Sequence, residues 1–167
     1  MPGWSRDWKA LFKQATPSSS KLGINYVQAS AASTILELQG ISLVVCQDLA
    51  KHGIAGVVWN CARAMVSFFE AEPHCAAQRH VLELGAGPGA MGLSLASACK
   101  VSSLLLTDLE SVISLTRDNV QSATQQHESI AVLAANNRLE VRALRWYDRP
   151  QFTLCLVWGP HVHVLIL

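Results

Sequence analysis

Charge is scarce in this sequence and neither sign prevails: 15% of residues are charged and the formal net charge is +1. That balance removes the electrostatic basis for binding nucleic acid or an anionic membrane surface. The five cysteines, Cys46, Cys61, Cys75, Cys99 and Cys155, include no CxxC pair. An odd count without regular spacing argues for reduced thiols, against a disulfide frame or zinc site, and sets the expectation of a cytoplasmic or nuclear protein. His161-x-His163 has no third ligand nearby in sequence, so no metal is expected there. No stretch approaches the roughly 20 apolar residues that a membrane-spanning helix needs. The opening Met1-Pro2-Gly3-Trp4-Ser5-Arg6-Asp7 likewise lacks an apolar run of signal-peptide type. What is present is apolar matter: 50% of the 167 residues are hydrophobic, enough for the core of one folded domain and too much for general disorder.

Residues 1–33 combine Trp4, Trp8 and Phe12 with Thr16-Pro17-Ser18-Ser19-Ser20, the composition of a short helix or arm followed by a flexible linker. Residues 34–39 and 41–47 are rich in apolar and β-branched side chains around Gly40, which predicts a hairpin. Gly53 and Gly56 bracket a turn before a helix on which Trp59, Ala62, Val66 and Phe69 recur on one face. Pro73 and His74 end it. Strands are then predicted over 80–84, 102–107, 139–145 and 152–158, with helices over 90–99 and 110–123. The polar stretch 124–128 reads as a loop, and 130–135 is ambiguous. Alternating strands and helices predict an α/β fold with a parallel sheet covered on both faces. Its expected limits are 34–158, followed by an apolar tail over 159–167.

The segment Val81-Leu82-Glu83-Leu84-Gly85-Ala86-Gly87-Pro88-Gly89-Ala90-Met91-Gly92 reads as a buried strand, a tight turn and the start of a helix. About twenty residues beyond the turn, the apolar run Leu104-Leu105-Leu106-Thr107 ends in Asp108. A nucleotide-shaped ligand needs this pairing. Glycines let the backbone approach it closely, and a carboxylate on the neighbouring strand accepts hydrogen bonds from ribose hydroxyls. Two templates fit. Gly85-x-Gly87-x-Gly89 matches the first motif of methyltransferases that use S-adenosylmethionine, and Gly87-x-Gly89-x-x-Gly92 matches a dinucleotide fingerprint that would make the protein an NAD-type oxidoreductase. Glu83, just before the turn, suits a cationic amino or sulfonium group and would repel a pyrophosphate. The alternatives are that Glu83 is a solvated strand end and that Gly89 and Gly92 serve helix–strand packing alone.

With Gly56-Val57-Val58-Trp59, Leu106-Thr107-Asp108-Leu109, Asp118-Asn119-Val120 and Leu144-Arg145-Trp146, these blocks resemble the seven-strand methyltransferases that act on protein lysines, including the valosin-containing-protein and Hsp70-type enzymes. The resemblance runs from about residue 35 to 152. It implies a Rossmann-like sheet with a preceding hairpin and helix, S-adenosyl-L-methionine as cofactor, and a protein substrate such as a chaperone or ATPase. It further implies that Trp59 contacts the cofactor, Glu83 and Gly85-Ala86-Gly87 line its methionine and ribose portions, Asp108 binds ribose, and Trp146 packs by the adenine. Taken on spacing alone, Trp59 is as readily a core aromatic and Trp146 a core lid, while Asn119 reads as a helix-surface or capping residue. No catalytic side chain is assigned: a neutral amine attacks the methyl directly, and the protein aligns and desolvates the pair.

After its fourth strand the family carries an acidic residue and, a few positions on, an aromatic. Here the corresponding region reads Leu156-Val157-Trp158-Gly159-Pro160-His161-Val162-His163, and no carboxylate follows Asp148. The expectation is therefore a truncated or alternatively spliced form of a longer methyltransferase, with a non-catalytic binding or regulatory role as the competing reading.

Overall fold

The computed structural model describes residues 29–145 and 162–166. The arm over 1–28, Trp146, the strand expected over 152–158 and the His161-x-His163 side chains lie outside the described residues.

Two strands open the structure, β1 (Ser33–Leu38) and β2 (Ile41–Cys46), paired antiparallel with Leu38 opposite Ile41. Both residues of the connecting turn, Gln39 and Gly40, have positive φ (52° and 72°). A two-residue turn of that hand matches the right-handed twist of the strands it joins. Alternation then decides what is buried: Leu36, Leu38, Leu43 and Val45 face the core, while Ile35 and Val44 face out. The turn is clipped to the following helix, since Gln39 N–H donates to Glu70 Oε2 and Gln39 Nε2 to the Glu70 carbonyl.

A short helix, α1 (Leu49–His52), and a 3-10 turn (Gly53–Gly56) lead to α2 (Asn60–Ala71). Ala62, Val66 and Phe69 are buried on α2, as their spacing predicts. Trp59 does not join them. It occupies the cap position with extended backbone (φ −78°, ψ 160°) and is 38% exposed, so the core-aromatic reading is corrected. A residue one step before the first helical turn does not project along the helix face that the spacing assumes.

Strands β3 (His80–Leu84), β4 (Ser103–Asp108), β5 (Leu139–Ala143) and β6 (Val162–Ile166) form one sheet in the order β5-β4-β3-β6. All three pairings are parallel, and the register sets Leu84 beside Thr107 and Ile166. Every residue of β4 is buried, so it reads as a continuous apolar run without alternation. Leu104, Leu105 and Leu106 are fully enclosed, each contributing about 1.5–3 kcal/mol of transfer free energy.

Crossovers β3-α3-β4 and β4-α4-α5-β5 use α3 (Ala90–Ala98), α4 (Glu110–Gln126) and α5 (Glu128–Ala135). Both run in the same direction across the sheet, so right-handed connections set these helices on one face. There Val81, Leu104 and Leu106 join the main core, which also takes in the hairpin and α2. Leu82, Leu84 and Leu105 alternate to the opposite face and cluster with Leu144. The helices expected on both faces therefore occupy one face among the described residues. The stretch expected to be a loop over 124–128 is helical up to Gln126, with a single extended residue, His127, before α5. Its polar side chains bond within the helix: Thr124 Oγ1 donates to the Val120 carbonyl and Gln126 Nε2 to that of Ser122.

Candidate functional site

The parallel register delivers the end of β3 and the end of β4 to the same rim, where the chain turns from strand to helix twice. At the first of these turns Gly85, Gly87 and Gly89 all adopt positive φ. Its polar groups are accounted for one by one. The Gly85 and Ala86 N–H groups donate to the Thr107 carbonyl, Gly89 N–H to Ala86, and Leu93 N–H to Gly89. The Gly87 N–H donates to Asp108 Oδ2 at 2.7 Å, and Asp108 Oδ1 accepts from the Leu109 N–H at 2.7 Å. A carboxylate has about four lone-pair sites, so Asp108 retains acceptor capacity for two more donors.

Glu83 sits beneath the turn and is fully buried. Its Oε2 accepts from the Gly92 N–H in the first turn of α3, while Oε1 has no hydrogen-bond partner. Burial pushes the Glu83 carboxyl up from 4.5 to about 8; the Gly92 N–H opposes the rise and the Asp108 charge adds to it. The two acids are thus close enough to act on each other. The alternative of a solvated strand end is excluded for Glu83 by its burial.

The loop from α1 to α2 closes over the turn. A Cβ placed on Gly87 would stand 2.8 Å from the Ala55 carbonyl oxygen, so only glycine admits this approach. Trp59 is held to the same loop by its Nε1–H, which donates to the Ile54 carbonyl at 2.9 Å. Gln47 secures the next residues: its Oε1 accepts from the Val58 N–H at 2.8 Å. Around this rim three apolar side chains stay in solvent, Ile54 (69% exposed), Leu109 (50%) and Trp59 (38%). The structure therefore gathers Glu83, Gly85, Ala86, Gly87 and Asp108 directly, and Trp59 through the loop that lies on Gly87. Trp146 is outside the described residues.

Three participants were not assigned from the sequence. Leu109 offers an exposed apolar surface immediately after Asp108, a signal readable in hindsight from its place in the motif. Thr116 and Asn119 are the others. Thr116 Oγ1 donates to the Gly87 carbonyl at 2.7 Å, and Asn119 Nδ2 donates to the carbonyls of Pro88 (2.9 Å) and Cys46 (3.0 Å). Asn119 Oδ1 also accepts from the Cys46 N–H at 2.8 Å. The helix-surface reading of Asn119 is corrected, since the side chain is buried and joins three segments.

The dinucleotide reading meets a physical obstacle. The Gly92 N–H, one of the helix-terminal donors that would meet a pyrophosphate, is committed to a carboxylate oxygen 2.9 Å away. Elsewhere, a cavity of about 390 Å³ between β1 and α2 is lined by Ile35, Leu36, Glu37, Arg63, Val66 and Ser67, none of them from the glycine turn. Glu72, His74 and Cys75 bring one metal-ligand type of atom each within 4.8 Å of one another. The His74 ring turns Nδ1 to Glu72 (3.5 Å) and Nε2 to Cys75 (3.8 Å). No helix among the described residues is long and apolar enough to cross a membrane.

A family model described as lysine methyltransferase matches residues 37–155. Among curated proteins the chain is 35% identical over 85 residues to the protein-lysine N-methyltransferase EEF2KMT of Bos taurus, a stretch that is 48% of this chain and 25% of that protein. It is 30% identical over 105 residues to the protein N-lysine methyltransferase METTL21A of Xenopus tropicalis, covering 63% of this chain and 45% of the relative. To METTL21A of Danio rerio it is 27% identical over 136 residues, covering 79% and 58%. The chain thus spans between 25% and 58% of the lengths of these relatives.

Proposed function

We propose that this chain, which belongs to the lysine methyltransferase family, binds S-adenosyl-L-methionine at the rim of β3 and β4 and transfers its methyl group to a lysine amine of a protein substrate. The observation that carries the binding half is the convergence of the glycine turn with two acids: Asp108 on the Gly87 N–H, and Glu83 buried below with Oε1 unpartnered. Those residues fit the cofactor. A ribose diol needs acceptors, which Asp108 retains, and a cationic amino or sulfonium group complements an acid whose second oxygen lacks a donor.

When bound, the cofactor supplies an electrophilic methyl on a sulfonium. The chain's own residues do the rest. The Gly85-Ala86-Gly87 backbone admits the ligand without Cβ interference, and Asp108 fixes its sugar. Glu83, drawn to its ionised form by the ligand's positive charge, balances that charge. Trp59, Ile54 and Leu109 form an apolar rim that keeps water from the adenosyl portion. An incoming lysine must present a neutral amine, and a low-polarity approach favours loss of its proton. That the substrate is a protein rests on the relatives, whose names give protein lysine as their target.

Calorimetry with S-adenosylmethionine and S-adenosylhomocysteine tests this reading. Saturable heat with both is expected, and silence from folded protein with either ligand would refute it. A second reading, ligand binding without transfer, is favoured by one observation: the described residues supply the binding rim and no assigned acceptor-side group. Transfer of radiolabelled methyl to lysate proteins by this chain would eliminate that alternative.

A further inference from the structure

The glycine turn is held from behind by two side chains that sit one helical turn apart on α4. Thr116 and Asn119 are buried at 0% and 2% exposure, on the face that α4 turns toward the hairpin and the β3–α3 junction. Each takes one carbonyl of the turn. Thr116 Oγ1 is 2.7 Å from the Gly87 oxygen and 3.5 Å from that of Val112 in its own helix. A hydroxyl has a single proton to donate, and the shorter contact claims it. Asn119 Nδ2 has two, and they reach Pro88 and Cys46.

The chemistry of the turn makes these bonds consequential. Pro88 has no N–H, so the Gly87–Pro88 peptide can be fixed only through its oxygen, and Thr116 is the donor that fixes it. The Gly87 N–H, on the other side of the same residue, points to Asp108. Thr116 therefore governs the orientation of the residue that links the turn to Asp108. Asn119 holds the following carbonyl and grips both polar groups of Cys46 at the end of β2. Its neighbour Gln47 holds Val58, next to Trp59. Through Asn119 and Gln47, joined by the backbone at the end of β2, the glycine turn and the Trp59 loop are tied to one anchor.

We infer that Thr116 and Asn119 are positioning residues that set cofactor affinity by fixing the Gly87 and Pro88 carbonyls to α4. The inference rests on the proposed cofactor reading and adds to it. Neither side chain need touch the ligand. Both act through the backbone that does, and removing a buried donor leaves a carbonyl to reorient toward any other partner.

The test is the affinity for S-adenosylhomocysteine, measured by calorimetry on the full chain well below its melting temperature, so that loss of stability alone does not register. Thr116→Val keeps the shape and removes the hydroxyl; Thr116→Ser keeps the hydroxyl. Thr116→Val is expected to weaken binding about tenfold or more, with Thr116→Ser within about threefold of the unaltered chain. Asn119→Asp, which keeps the acceptor for Cys46 and loses the donors to Pro88 and Cys46, is expected to weaken binding comparably. Equal affinities for Thr116→Val and the unaltered chain overturn the inference, as does failure of serine to restore binding. Should Thr116→Val not fold, amide exchange decides: Gly87 and Gly89 N–H groups protected equally in Thr116→Ser and Thr116→Ala overturn it. No binding by the unaltered chain overturns the cofactor reading itself, and this inference with it.

Discussion

Replacing Glu83 by glutamine tests whether this fold keeps a buried acid neutral. In the folded chain the carboxyl titrates at about 8, against an ordinary value of 4.5. Between those values the folded state holds a proton that the unfolded state has already released, so stability falls as the pH rises. The contribution is fully present below the unfolded value, declines across the window, and is gone above about 8. One unit of displacement is worth about 1.4 kcal/mol, which makes the whole window worth on the order of 5 kcal/mol. That is a large part of the net stability of a domain this size, about 5–15 kcal/mol. Glutamine nearly matches glutamate in shape, keeps an acceptor for the Gly92 N–H, and does not titrate. The assay is denaturant unfolding of both proteins at steps from about pH 5 to 9. The difference in unfolding free energy, unaltered chain minus Glu83→Gln, is expected to fall by about 1.4 kcal/mol per pH unit and level off above about pH 8. Parallel profiles across the range would show that the acid ionises freely in the folded chain, and the reasoning from burial would fail.

Asp108→Ala is expected to weaken S-adenosylhomocysteine binding at least about tenfold in calorimetry, because charge-assisted hydrogen bonds are the stronger kind; unchanged affinity would mark Asp108 as structural only. Gly92→Ala sets a Cβ 2.6 Å from both Glu83 Oε2 and Leu106 Cδ2, so thermal or chemical melts should show a loss of about 1–3 kcal/mol, and an unaltered melting curve would contradict the packing. A cationic ligand group beside Glu83 should draw its pKa down, so binding near pH 7 releases protons. Calorimetric heats measured in buffers of different ionisation enthalpy would then differ, whereas identical heats would separate Glu83 from the ligand.

The sheet and its rim were legible because buried parallel strands announce themselves. The stretches Val81-Leu82-Glu83-Leu84 and Leu104-Leu105-Leu106-Thr107 are largely apolar, and each is followed by a residue that a turn or a ligand explains, Gly85 and Asp108. The hairpin was legible for a different reason: alternation about Gly40 left few registers that bury Leu36, Leu38, Leu43 and Val45 together. The core-aromatic alternative for Trp59 failed because spacing counts positions and says nothing of where the helix starts. The stretch 124–128 was misread because polar composition suggested solvent, whereas Thr124 and Gln126 satisfy themselves on their own helix. Asn119 was the hardest. Its partner Cys46 is 73 residues away in sequence, and an asparagine on a helix gives no local sign that it will meet two carbonyls of other segments.

The proposed binding and the proposed transfer therefore make separable demands on this chain. The proposed binding rim is built from β3, β4, α4, the first turn of α3 and the α1–α2 loop, and Asn119 ties it to the end of β2. The strand beside β3 on its other flank, β6, pairs through the backbone from His80 to Leu84 and so makes β3 an interior strand. An interior β3 holds the glycine turn in register independently of whatever groups would act on the proposed acceptor amine. Cofactor affinity without methyl transfer would consequently locate the deficit on the acceptor side and leave the glycine turn, Glu83 and Asp108 as assigned.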